Sequence, residues 1–138
     1  AKRLDILPVV LWGPGERPVA ESVAKASQGR AVLAPPTDLR QSAALIAAAD
    51  AHVGNCSAPR HIAVAVETPS FTIMGSTSRG WAYPSPRHAN VRSGIDCQPC
   101  NKNHCDIGII CLSGYAPETA YDEFMAWTQG ELGWGPPG

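Results

Sequence analysis

Two groups of side chains in this sequence have the types and spacing for chemistry. The stretch Asn55-Cys56-Ser57-Ala58-Pro59-Arg60-His61 crowds polar and charged groups into one turn just ahead of a helix-like run. A helix that starts near Ser57 leaves backbone N–H groups unpaired and carries about half a positive charge at that end, so it can hold an anion such as phosphate without a basic cluster. Ser57, Ala58 and His61 are the donors that could converge there. The plainer reading makes Ser57 an ordinary N-cap and His61 a packed or surface histidine.

The second group is CQPCNKNHCDIGIIC, in which Cys97, Cys100, Cys105 and Cys111 gather four of the five cysteines. A C-x2-C turn can present two thiolates to one Zn²⁺, and two further cysteines would close a tetrahedral structural site with no open position for catalysis. His104 could replace one of them. The spacing does not match the common iron–sulfur runs. Free or disulfide-paired thiols are the alternative, and an intracellular setting weighs against disulfides.

The elements that must position these groups alternate along the chain. Ile6 to Trp12 reads as a buried strand broken by Gly13-Pro14-Gly15, and Pro18 to Gly29 as a helix. Ala31 to Ala34 is a second strand, and Asp38 with Gln41 forms a capping box ahead of Leu39, Ala43, Ile46 and Ala47 on one helical face. Ala51 to Val53, Ala58 to Val66 and Ser70 to Met74 read as strand, helix and strand. Such alternation predicts an α/β fold with a Rossmann-like parallel sheet and helices on both faces. In an open parallel sheet the ligand crevice lies at the carboxyl ends of the strands. The unusual residues collect there: Gly13 to Arg17, Pro35 to Thr37, Gly54 to Ser57 and Gly75 to Ser78.

Beyond Gly75 the alternation fails. Ser76 to Arg92 reads as an irregular loop rich in Ser, Pro, Gly and Arg, in which Trp81, Tyr83 and Arg87 could flank a ligand or cover a core edge. Pro117 opens a last helix, with Tyr121, Phe124, Met125 and Thr128 on one face. We expect one domain over residues 1–130, including the cysteine segment 97–111, and a frayed Gly/Pro-rich tail at 131–138.

The formal charge is -1, from 11 basic and 12 acidic residues, which implies no global attraction to nucleic acid or anionic membrane. No apolar run approaches the roughly 20 residues of a membrane span, and no signal peptide is evident. A cytoplasmic protein is expected. The chain opens at Ala1 and enters a strand-like segment within a few residues, which reads as a cut from something longer.

The order GPGER, PPTDL, GNCSAPRHIAVAVETPSFTIMGST and CQPC resembles the C-terminal half of glycosyltransferase family 9, the lipopolysaccharide heptosyltransferases, over Val9 to about Leu112. Its most specific piece is the GN-x-S-x-P-x-H-x-A block. The resemblance implies the donor-binding half of a GT-B enzyme, which holds a nucleotide-diphosphate sugar, typically ADP-heptose, for transfer to a lipopolysaccharide core or similar glycan. It places Ser57, Ala58 and His61 on the diphosphate, Glu16 on the nucleoside side and Thr37 beside the base. It also implies a partner N-terminal domain that carries the acceptor site and general base, so this polypeptide alone should not transfer sugar and contains no catalytic residue. The chemistry would need no cofactor, a zinc being structural only, and the parent could lie peripheral to the inner membrane. Two positions depart from the pattern: Cys56 stands where members carry Asp, and Ala58 where they carry Gly. A neutral thiol cannot accept hydrogen bonds from sugar hydroxyls as a carboxylate can. The alternatives are a non-catalytic nucleotide- or phosphate-binding module and a metal-stabilised interaction domain.

Overall fold

A computed structural model describes residues 5–135. The chain divides into two compact units, one carrying the residues up to Ala44 and the other running from Leu45 to Trp134. In the first, β1 (Val9–Val10) and β2 (Val32–Leu33) pair in parallel, and α1 (Arg17–Ala26) packs on both. The apolar run Ile6–Trp12 thus contributes only two paired residues. Its partner is equally short, with Pro35 and Pro36 directly beyond Ala34, and Pro8 has no N–H to offer. The indole N–H of Trp12 instead donates to Ala34 O at 2.8 Å.

Helix α2 (Leu39–Ala47) begins at the expected capping box: Asp38 N–H donates to Gln41 Oε1 at 2.9 Å, and Gln41 N–H to Asp38 Oδ1 at 2.8 Å. Two donors at the helix start are satisfied reciprocally. In the second unit β3 (His52–Asn55), β4 (Ser70–Ile73) and β5 (His88–Val91) form a parallel sheet in that order. Helix α3 (Ala58–Ala65) packs on β3 and β4, while α5 (Pro117–Glu131) packs on β4 and β5. Central β4 is the most buried strand. Phe71 meets the Phe124 ring edge-on at 5.5 Å and the tilted Trp127 ring at 5.7 Å, and Met74 is buried beside the strand end.

The fold is therefore α/β, with parallel pairing and interleaved helices. The region past Gly75 corrects the expectation of an irregular loop. It contains a 3-10 turn at Arg79–Trp81 and the strand β5, and a short helix α4 (Ile110–Ser113) follows the cysteines. His-Ala-Asn-Val alternates polar and apolar residues over only four positions, with Val91 the one strong strand former, too short a signal to mark a strand. Its pairing with β4 is reinforced by side chains, with Ser70 Oγ and His88 Nδ1 at 3.0 Å. Arg87 does not flank the strand ends that carry the candidate site. It donates to Glu67 O at 3.1 Å, at the opposite end of the sheet. Of the supposed tail, Trp134 N–H donates to Thr128 O and its ring meets Phe124 at 6.5 Å; residues 136–138 lie outside the described residues. No described helix is long and apolar enough to cross a membrane.

The sheet holds two histidines in one row, half-buried His52 opposite Ser70 and Ser70 opposite buried His88. Burial holds both imidazoles below the usual histidine pKa, and Arg87 and Arg60 add to the shift at His88. The folded state thus prefers them neutral, while the unfolded chain takes up protons near pH 6.5. Stability should be full above that value and fall as pH drops through it, the loss being complete below the lower folded pKa. Urea unfolding midpoints across pH 5 to 8 should show this slope, reduced in His88→Asn; a flat profile would contradict it.

Candidate functional site

The register sets Asn55 beside Ile73 and Ile73 beside Val91, so the carboxyl ends of β3, β4 and β5 lie side by side. Loops leaving those ends must share one edge of the sheet. At β3 the chain turns through Cys56 and Ser57 into α3. Ser57 occupies the N-cap position with extended backbone, yet its hydroxyl makes no capping bond and only a long 3.5 Å contact to Asn55 O. The exposed hydroxyl is therefore uncommitted. Pro59 lies in the first helical turn and lacks an N–H, and Arg60 N–H donates to Ser57 O at 3.2 Å. Of the early donors this leaves the amide of Ala58, so the side chains carry more of any anion binding than the helix end alone.

His61 lies one turn in. Its Nδ1 pairs with the Tyr83 hydroxyl at 2.8 Å, and its ring meets Trp81 edge-on at 5.6 Å. With Nδ1 committed, Nε2 is the nitrogen left to a ligand. A cleft of about 390 Å³ opens here, lined by Cys56, His61, Ser76, Thr77, Trp81, Asn101 and Asn103. A second of about 250 Å³ shares Cys56, Ser76, Thr77 and Asn103 with it, and extends to all four clustered cysteines.

Behind the turn stands a residue to which sequence reasoning gave no role. Arg60 is 0 % exposed and has no carboxylate partner among the described residues. Its Nη1 donates to Trp81 O at 2.7 Å, its Nη2 to Asn90 Oδ1 at 2.5 Å, and its guanidinium lies 4.9 Å from the Tyr83 ring centroid. Nη1 also reaches Cys56 Sγ at 3.6 Å. Arg92, just past the end of β5, has both Nη atoms out of solvent without a hydrogen-bond partner. Burial, then the nearby Arg79, lowers its pKa from the usual arginine value. Two guanidinium groups with unused N–H capacity thus stand near Cys56. A composition signal, the Arg-rich loop, pointed toward Arg92 alone.

The cysteine segment is tied to the same edge. Gln98 donates from Nε2 to Met74 O at 2.7 Å and to Gly75 O at 2.8 Å, and Asn101 N–H donates to Ser76 O at 2.8 Å. All five cysteines are free thiols. Cys111 is buried, while Cys97 and Cys100 are exposed. Burial raises the Cys111 thiol pKa, and Cys105, Cys97 and Cys100 add to the rise, so the four sulfurs are electrostatic neighbours. Among the described residues, no three His, Cys, Asp or Glu side chains are arranged to hold a metal ion. His104 lies exposed beside Asp106, at 3.5 Å.

Glu16 and Thr37 belong to the first unit. Glu16 Oε2 accepts from Gly13 N–H at 2.8 Å and closes its own turn, and Thr37 Oγ1 pairs with Ser42 Oγ at 2.8 Å. Arg17 forms an exposed ion pair with Glu21 at 2.8 Å and lies 5.6 Å from the Trp12 ring centroid. Cys56, Ser57, Ala58 and His61 all belong to the second unit, and of these Cys56 and His61 line the larger cleft.

Comparison with known proteins bears on this arrangement. The profile described as "Glycosyltransferase family 9 (heptosyltransferase)" matches residues 7–110. Lipopolysaccharide heptosyltransferase 1 of Campylobacter coli is 34% identical over 89 residues, which cover 63% of this chain and 25% of that protein. The chain thus spans about a quarter of that relative's length. No solved structure matches.

Proposed function

The chain belongs to glycosyltransferase family 9 (heptosyltransferase), and from that premise we propose that it is the donor-binding part of such an enzyme, with a nucleotide-diphosphate sugar of the ADP-heptose type as ligand. The observation that carries this reading is the cleft at the carboxyl edge of β3 and β4, where His61 and the Ser76 and Thr77 hydroxyls meet the turn backed by Arg60. A diphosphate needs several converging donors, because one helix-end contact contributes only about 0.3–1 kcal/mol when exposed. Ser57 Oγ, the Ala58 amide and His61 Nε2 supply them, and the guanidinium groups of Arg60 and Arg92 add a favourable field.

In the reaction an acceptor oxygen attacks the anomeric carbon, the bond from that carbon to the diphosphate breaks, and the diphosphate leaves with the electron pair. The residues of this chain would bind and stabilise that leaving group. The acceptor and the base that takes its proton would come from another domain, joined to this one as the two halves of a GT-B, Rossmann-like pair. Glu16 and Thr37 remain the candidates for the nucleoside side. The most economical setting is cytoplasmic, beside the membrane that carries the acceptor. Calorimetric titration with ADP should give micromolar binding that His61→Ala weakens about tenfold, the scale of one lost charge-assisted hydrogen bond. Failure to bind ADP or any other nucleoside diphosphate would refute the reading.

A second reading concerns the four thiols, and their shared cleft favours it. Cys97, Cys100, Cys105 and Cys111 would hold one structural Zn²⁺, with closure of the segment around it on binding. Structural zinc contributes about 10–16 kcal/mol in small peptides, comparable to the stability of a whole domain. Zn²⁺ added to the reduced chain should bind at one equivalent, release protons and raise the unfolding temperature, and Cys97→Ser with Cys100→Ser should abolish all three. Absence of binding, or disulfides found by mass in protein purified under reducing conditions, would exclude the site.

A further inference from the structure

Among the described residues, the larger cleft has no carboxylate in its lining. Its lining is a thiol, an imidazole, two hydroxyls, an indole and two carboxamides, from Cys56, His61, Ser76, Thr77, Trp81, Asn101 and Asn103. Any hydroxyl-rich ligand there must be read by neutral groups. Asn is suited to this: its carboxamide both donates and accepts, so it can match a hydroxyl in either role and span two adjacent ones.

Both carboxamides are carried by the cysteine segment, and the backbone holds that segment in place. Asn101 N–H bonds to Ser76 O at 2.8 Å, and Gln98 clamps the preceding turn to Met74 O and Gly75 O. Gln98 is itself held, its Oε1 accepting from Ser93 Oγ at 3.1 Å and from Gly94 N–H at 3.2 Å. Asn101 has φ 55°, in the left-handed region that Asn tolerates better than most residues. Among the described residues nothing takes up the Asn101 or Asn103 side-chain amide, and both residues are exposed. Trp81 adds an apolar face, 58% exposed, on a backbone fixed by the Arg60 bond to its carbonyl. Apolar surface beside uncommitted amides is the lining that a sugar requires, with its C–H face and its ring of hydroxyls.

We infer that Asn101 and Asn103 read the hydroxyls of the donor's sugar, so that the cysteine segment determines which sugar is accepted while the Ser57–His61 turn holds the diphosphate. This rests on the diphosphate reading of the turn given above. It assigns donor specificity to a loop outside the strand–turn–helix unit. It also gives the Gln98 clamp a role in positioning that loop.

The test compares ADP with ADP-heptose by calorimetry on the whole chain. Asn101→Gly keeps the left-handed backbone and the N–H to Ser76, and Asn103→Ala removes the second amide. Each should weaken ADP-heptose about three- to tenfold, the range of one hydrogen bond, and leave ADP within about twofold. If ADP-heptose is unaffected, or if both ligands weaken equally, the inference is overturned. If the unsubstituted chain binds no ADP, it is the diphosphate reading that fails, and that result is separable from the other two.

Discussion

The second unit is organised around one constraint, a fully buried guanidinium with no carboxylate partner among the described residues. Removing a cation from water costs several kcal/mol even after relaxation, and polar partners for its N–H groups offset that cost. Arg60 meets this through the Trp81 carbonyl, the Asn90 side chain and the Tyr83 ring. Those partners come from the 3-10 turn, the loop after it and strand β5. One side chain on α3 therefore fixes the wall of the cleft that its own helix opens.

The consequences run outward from there. Tyr83, held over Arg60, presents its hydroxyl to His61 and sets which imidazole nitrogen faces the cleft. Trp81, held by its carbonyl, keeps its ring beside the same histidine. Arg92 follows Asn90 along β5 and leaves a second guanidinium unpartnered near the turn. These groups leave positive charge unneutralised behind Cys56, and an anion at the turn would relieve their repulsion. Gln98 ties the cysteine segment to the same strand end. The site is thus made of three loops held to one sheet edge by polar bonds that cross long stretches of sequence.

That also explains what was legible in the sequence. The Asp38 and Gln41 capping box, the helix after Ser57 and the strand at Ser70 depend on residues within a turn or two, and they lie where the pattern put them. The helix start was recognisable because Ser57 at the N-cap and Pro59 in the first turn are local signals. β5 was not, because His88 and Asn90 are polar and the strand exists through β4 and through partners on other elements. Arg60 drew no individual reading, since nothing nearby in sequence reveals that Trp81 and Asn90 will enclose it. The amides of Asn101 and Asn103 reach the cleft only because Gln98 bonds to Met74 O and Gly75 O and the Asn101 N–H bonds to Ser76 O across the sheet edge. The cysteine spacing was legible as a cluster, and the four residues do share one cleft.

Arg60 is the residue that assembles the candidate cleft. The most direct measurement is the ADP affinity of Arg60→Met in protein that still unfolds cooperatively. Methionine keeps much of the buried volume without an unpaired charge, so the fold should survive. The Tyr83 and Trp81 anchors are lost, and ADP binding should weaken at least about tenfold, the loss expected when a charge-assisted hydrogen-bond network is removed. Affinity within about twofold of the unsubstituted chain would contradict the claim.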